Sequence, residues 1–259
     1  MKTHLSIKIA IFTLSIIMLG CTMHERPTQS GLLRSNFQTE HLGMTTDLYT
    51  LTNDNGMEVC FTNFGGRIVS ILVPDRHGNM LDVCLGHDSI ADYIRYGHQG
   101  CNFGALIGRY GNRIKDGQFT LDGIQYQLPR NNDGNCLHGG GDIAFHNRMW
   151  QAQPIDRHSI AFTTISPDGE DGFPGNLAVK VTYTLTNDNA IRIDYHATTD
   201  RPTVINLTNH CYFCLSGDPS RDVMDEILYL NAEAYTPVDG NVAVTGEVAK
   251  VENTPFDFR

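Results

Sequence analysis

Seven short runs, DLYTLTN, MEVCFTNFG, RIVSILV, QFTLDGIQYQL, SIAFTTIS, LAVKVTYTLT and AIRIDYHAT, are rich in β-branched and aromatic residues and are separated by Gly, Asn and Asp. Such runs favour extended backbone, and the residues between them favour tight turns. A chain punctuated in this way must pair its strands and bury one face of the resulting sheet against a second one. We expect an all-β fold, a large antiparallel sandwich. Helix is confined to short pieces such as DSIADYIRY, with Asp88 placed to cap its start. LTNDNGMEV from Leu51 and LTNDNAIRI from Leu185 look like one motif used twice. Two independent hairpins with similar turns is the simpler reading.

Within this pattern VINLTNHCYFCL, Val204 to Leu215, is unusual. Read as a strand, it sends Ile205, Leu207, Cys211 and Phe213 to one face, interrupted only by Asn209, and that face belongs to a core. The other face carries Asn206, Thr208, His210 and Tyr212, all uncharged and all able to hydrogen-bond. Such a face suits a sheltered cleft for a polyhydroxylated molecule better than open solvent, where Lys and Glu are expected. A buried histidine satisfied by its neighbours is the plainer account of His210 taken alone.

The amino terminus stands apart. Lys2 and Lys8 flank or precede the apolar run IAIFTLSIIM, which ends at Leu19-Gly20-Cys21. This reads as a secretory signal over residues 1–20, with Cys21 placed as the lipidated first residue of a bacterial lipoprotein. An ordinary signal peptide or a signal anchor are the alternatives. Residues 21–40 have no apolar periodicity and are expected to form a polar tether, so the folded domain is expected over 41–259. The predicted location is the cell envelope, exported and lipid-anchored, in the periplasm or at the outer membrane. Removing residues 1–20 takes away two lysines and no acids, so the formal charge moves from −10 to −12. That balance argues against nucleic acid as a partner.

Of the seven cysteines, six remain after Cys21, and their pairing cannot be read from spacing. Cys211 and Cys214 have C-x-x-C spacing, but on a strand they face opposite ways, and no second such pair exists to complete a zinc site. No metal ligand set is expected.

Three Gly-rich stretches carry further polar residues. FGALIGRYGNRI clusters Arg109, Asn112 and Arg113 but matches no phosphate-binding loop. GNCLHGGG places His138 beside glycines that let backbone approach a ligand. SPDGEDGFPG, with Asp168, Glu170 and Asp171, suggests calcium only superficially, since it lacks the spacing and distal Glu of an EF-hand. An acidic surface turn is the better account, and bound calcium stays open.

IGRYGNRI, LHGG, SPDGEDGFPG and INLTNHCYF occur in the order found in the aldose 1-epimerase (galactose mutarotase) family, and TGEV and TPFDFR are also similar to its sequences. The resemblance covers roughly Thr46 to Arg259. It implies the galactose mutarotase-like β-supersandwich, with its C-terminal part missing, and interconversion of α and β anomers of free aldohexoses such as glucose and galactose without a required cofactor. It assigns the general acid to His210, and sugar binding to Asn112, Arg113, His138 and Tyr212. The family's general-base glutamate and a sugar-binding aspartate belong to a portion that follows the residue matching Arg259. Three functions therefore compete: a mutarotase lacking its base, a noncatalytic sugar-binding lipoprotein or degenerate truncated product, and a related sugar-phosphate epimerase.

Overall fold

The structure, a computed structural model, describes residues 25–97 and 100–259. The expected signal segment and the lipidation site Cys21 lie outside the described residues.

Two four-stranded antiparallel meanders form the body. The first contains β1 (Leu48–Thr52), β2 (Glu58–Thr62), β3 (Arg67–Pro74) and β4 (Met80–Asp82), each paired with the next. A helix, α1 (Ile90–Gly97), follows. Three two-residue strands come next: β5 (Leu106–Ile107), β6 (Arg113–Ile114) and β7 (Cys136–Leu137). The second meander is β8 (Gln151–Asp156), β9 (Ser159–Ser166), β10 (Leu177–Leu185) and β11 (Ile191–Thr199), again in sequential order.

Alternation decides what each sheet buries. Along β10, Leu177, Val179, Val181, Tyr183 and Leu185 are buried, while Ala178 and Lys180 face out. They meet Val59, Phe61, Ile68 and Ile71 of the first sheet in one core. The Phe61 ring lies 4.9 Å from that of Tyr183 and 6.2 Å from that of Phe162. The expected sandwich is therefore present, with aromatic side chains joining its layers.

The two similar turns are not independent. Asn53 Nδ2 donates to Asn189 Oδ1 at 2.7 Å and to the Thr186 carbonyl at 2.9 Å, and Asn187 Nδ2 donates to Asp54 Oδ2 at 2.9 Å. Asn55 in turn donates to the Asn187 carbonyl. Since Asn53 and Asn55 correspond to Asn187 and Asn189 in the repeated motif, the contacts are reciprocal, and they clip corresponding corners of the two sheets together.

Three local expectations change. The helix is capped by Ser89 rather than Asp88: Ser89 Oγ accepts the Asp92 N–H at 3.2 Å and donates to the Asp92 carboxylate at 2.7 Å. Residues 25–40, expected to be a tether, lie against the domain instead. Phe37 is fully buried beside Leu48 and Tyr93, and the buried Glu58 carboxylate accepts the backbone N–H groups of Gln29 and Ser30, each at 3.1 Å. A polar composition concealed two anchoring side chains, Leu32 and Phe37. Finally, 204–215 is not one long strand. Only Thr208–Asn209, β12, pairs in a ladder, with β5, and isolated bridges join Asn206 to Tyr110 and Phe213 to Cys84. Leu207 and Cys211 reach the core as expected, but Ile205 and Phe213 are 42% and 58% exposed. Phe213 instead lines an open apolar groove of about 390 Å³, which Cys211, Ile68, Ile71, Ile191 and Ile193 also border.

Candidate active site

The chain segment before β6 and the segment around β12 are joined along their length. Asn206 N–H donates to the Arg109 carbonyl at 3.0 Å, Gly111 N–H to the Asn206 carbonyl at 2.7 Å and His210 N–H to the Ala105 carbonyl at 2.9 Å. These bonds bring IGRYGNRI and INLTNHCYF side by side. The β6–β7 ladder, with Arg113 opposite Leu137, then delivers His138 beside Asn112.

His138 and His210 meet edge to face, with ring centroids 5.0 Å apart and planes at 89°. The Tyr212 ring lies 5.0 Å from His210 on the same segment and 5.2 Å from Phe103. Asn112 and His138 both adopt left-handed backbone, at φ 62° and 56°. Asn112 N–H donates to His138 Nδ1 at 3.1 Å. An accepting Nδ1 leaves the proton of the neutral ring on Nε2, so His138 presents a donor away from the backbone. Burial, with the His210 imidazole and the Arg113 guanidinium nearby, pushes the His138 pKa down to about 4. Arg113 is held by Asn132 Oδ1 at 2.9 Å and makes a longer contact of 3.4 Å with Asn112 Oδ1. All five predicted site residues, Asn112, Arg113, His138, His210 and Tyr212, thus belong to one contiguous group.

Arg109 does not join them. Its guanidinium is buried and donates to Ser166 Oγ and to the carbonyls of Ser166, Pro167, Pro174 and Gly175 at 2.8–3.0 Å. Those acceptors belong to the SPDGEDGFPG stretch. Glu170 there is paired with Arg148, and Asp168 accepts the Gly175 N–H at 2.7 Å. Arg201 pairs with Asp168 in addition, so three arginines organise the acidic turn, and among the described residues no group of three or more His, Cys, Asp or Glu is placed to hold a metal.

A polar cavity of about 310 Å³ adjoins His138, lined by Asn102, Asn131, Asn132, His146 and Asn147 among others. Asn102 Oδ1 and His146 Nδ1 are buried there without partners. Burial, with Arg67 nearby, drives the His146 pKa down to about 3. Nothing in the sequence marks this third histidine beyond its nearness to HGGG. Among the described residues no carboxylate hydrogen-bonds or ion-pairs with His138 or His210.

The model of the aldose 1-epimerase family matches residues 47–259. The chain belongs to the aldose 1-epimerase family. Galactose mutarotase of Rattus norvegicus is 40% identical over 217 residues, 84% of this chain and 61% of the relative. Aldose 1-epimerase of Haemophilus influenzae is 40% identical over 220 residues, 84% of this chain and 62% of the relative. The solved aldose epimerase homologue from C. elegans superposes with a TM-score of 0.75 at 31% identity, covering 83% of this chain and 64% of that one. Galactose 1-epimerase from Lactobacillus acidophilus gives 0.73 at 30% identity, covering 86% and 64%. The antiparallel architecture is therefore the mutarotase-like fold, and the chain spans about three fifths of the length of these relatives.

Proposed function

We propose that this chain carries the sugar-binding and acid side of an aldose 1-epimerase acting on free aldohexoses such as glucose and galactose. The observation that carries this reading is the perpendicular contact of His138 with His210, bordered by Arg113, Asn112 and Tyr212. Imidazole as a side-chain type exchanges protons near neutral pH. In the proposed step, protonated His210 gives its proton to the ring oxygen as the C1–O bond breaks, and the C1 hydroxyl proton leaves to a base. Rotation about C1–C2 presents the other face of the aldehyde, and the reverse transfers close the ring with C1 inverted. His138, neutral and donating through Nε2, holds a sugar oxygen while the proton moves at His210. Arg113 and Asn112 supply further donors to hydroxyls, and Tyr212 supplies a ring face and a phenol.

We assign the base to no residue of this chain. A positioned base commonly contributes about 10²- to 10⁴-fold in rate, so the sequence as given is expected to turn over little. Polarimetry of freshly dissolved α-D-glucose, corrected for buffer catalysis, tests this against His210→Gln at equal concentration. A rate excess over both blanks would mean that another group here supplies the base. If the same chain fused to the remaining portion of a relative epimerised sugar equally well with His210→Gln, the acid assignment would be wrong.

A second reading is a noncatalytic sugar-binding protein that uses the same group of polar side chains. Calorimetric binding of galactose without turnover in any extended form would select it. Preference for glucose 6-phosphate over glucose would select a sugar-phosphate epimerase instead.

Export and lipidation at Cys21 are proposed from the basic start, the apolar run and the Gly20-Cys21 junction. Mass spectrometry of the mature amino terminus decides this, and an unmodified start beyond Cys21 rules it out.

A further inference from the structure

We propose that Cys84 and Cys211 are a disulfide site that ties the segment carrying His210 to the end of the first sheet. The Cys84 thiol donates to the Cys211 sulfur at 3.6 Å, across 127 positions of sequence. Among the described residues this is the one contact between two cysteine sulfurs. The C-x-x-C partner Cys214 turns away from it, its sulfur 3.4 Å from Ser216 Oγ.

The backbones on either side already have the geometry of paired chains. Cys84 bridges Phe213, Leu85 N–H donates to the Tyr212 carbonyl at 2.9 Å, and Cys214 N–H donates to the Val83 carbonyl at 3.0 Å. Closing a bond of about 2.0 Å from this starting point needs sulfur movement of about 1.6 Å, within reach of side-chain rotation.

Access is asymmetric. Cys211 is half-buried and lines the open apolar groove beside Phe213, whereas Cys84 is 6% exposed. Its hydrogen bond to Cys211, together with burial, holds the Cys84 thiol well above the usual thiol range. The oxidant is therefore a small-molecule disulfide of the glutathione class, and the order of events is fixed. The Cys211 thiolate, having released its proton, attacks one sulfur of the disulfide, forms a mixed disulfide and expels one thiolate. Cys84 then loses its proton and attacks the Cys211 sulfur, expelling the second thiolate. The protein loses two electrons and two protons, and the small disulfide becomes two thiols.

This inference does not depend on sugar chemistry. It is tested on the folded full chain by incubation with oxidised glutathione, quenching with iodoacetamide and mapping peptides without reduction. The wild type should yield a peptide joining Cys84 to Cys211, with both sites losing alkylation together. Cys84→Ser should instead accumulate glutathione on Cys211, and Cys211→Ser should take up none at position 84. Oxidation should raise the wild-type Tm by roughly 5 °C, because the bond closes a long loop of the unfolded chain. Alkylation of both thiols persisting in the folded wild type, a cross-link from either cysteine to Cys214, or an unchanged Tm after cross-linking would each overturn the proposal.

Discussion

Asn112 and His138 hold one another by two hydrogen bonds: Asn112 N–H to His138 Nδ1 at 3.1 Å, and His138 N–H to the Asn112 carbonyl at 3.0 Å. The pair fixes which imidazole nitrogen is free to donate. His138→Gly removes the ring while suiting the left-handed backbone, so the fold should persist. Sugar binding, read by calorimetry at millimolar sugar, should weaken about tenfold, equivalent to about 1.4 kcal/mol. Unchanged affinity would remove His138 from the site.

Two arginines four residues apart should give opposite phenotypes. Arg109→Leu strips five acceptors around the SPDGEDGFPG turn of their donor. It should cost about 3 kcal/mol or more, seen as a lowered urea midpoint. Arg113→Ala should leave stability within about 1 kcal/mol and weaken sugar binding instead. If both variants lost only stability, the division of labour drawn between them would fail.

Phe37→Ala should destabilise the domain by about 3 kcal/mol, because the ring is fully buried. A true tether residue would show no effect in the same chemical denaturation experiment.

Acid should weaken the fold before its carboxylates titrate. The unfolded His146 binds a proton near pH 6.5, while the folded one resists protonation down to about 3. Below pH 6.5 the unfolded state therefore holds more protons, and stability falls with pH until the folded pKa is reached, at up to roughly 1.4 kcal/mol per unit. Thermal melts between pH 7 and 4.5 should show this slope added to the one His138 contributes, and His146→Asn should reduce the total while leaving the His138 part. A slope identical in the variant would assign the acid sensitivity elsewhere.

The strand runs and their turns made the sandwich legible, because period-two alternation in LAVKVTYTLT maps directly onto burial of Val179, Val181 and Tyr183. The ordered motifs indicated which segments meet, and IGRYGNRI, LHGG and INLTNHCYF do lie side by side. What stayed hidden depends on long-range partners. Arg109 and Arg113 look alike in sequence, and only the placement of the acidic turn separates them. Leu32 and Phe37 are too few to give a periodic signal, yet they meet a preformed apolar surface. Ile205 and Phe213 alternate as core residues would, but the short β12 pairing leaves them open. His146 needed the cavity itself to be seen.

The docked turns set a schedule for synthesis. Asn53 meets Asn189 across 136 positions, so at about 5–20 residues per second the Asn53 turn emerges roughly 7–27 s before the corner it docks against. During that interval Val59, Phe61, Ile68 and Ile71 have no second layer. A nascent chain arrested before β10 should accordingly bind a hydrophobic-peptide chaperone, and one extended beyond β11 should release it.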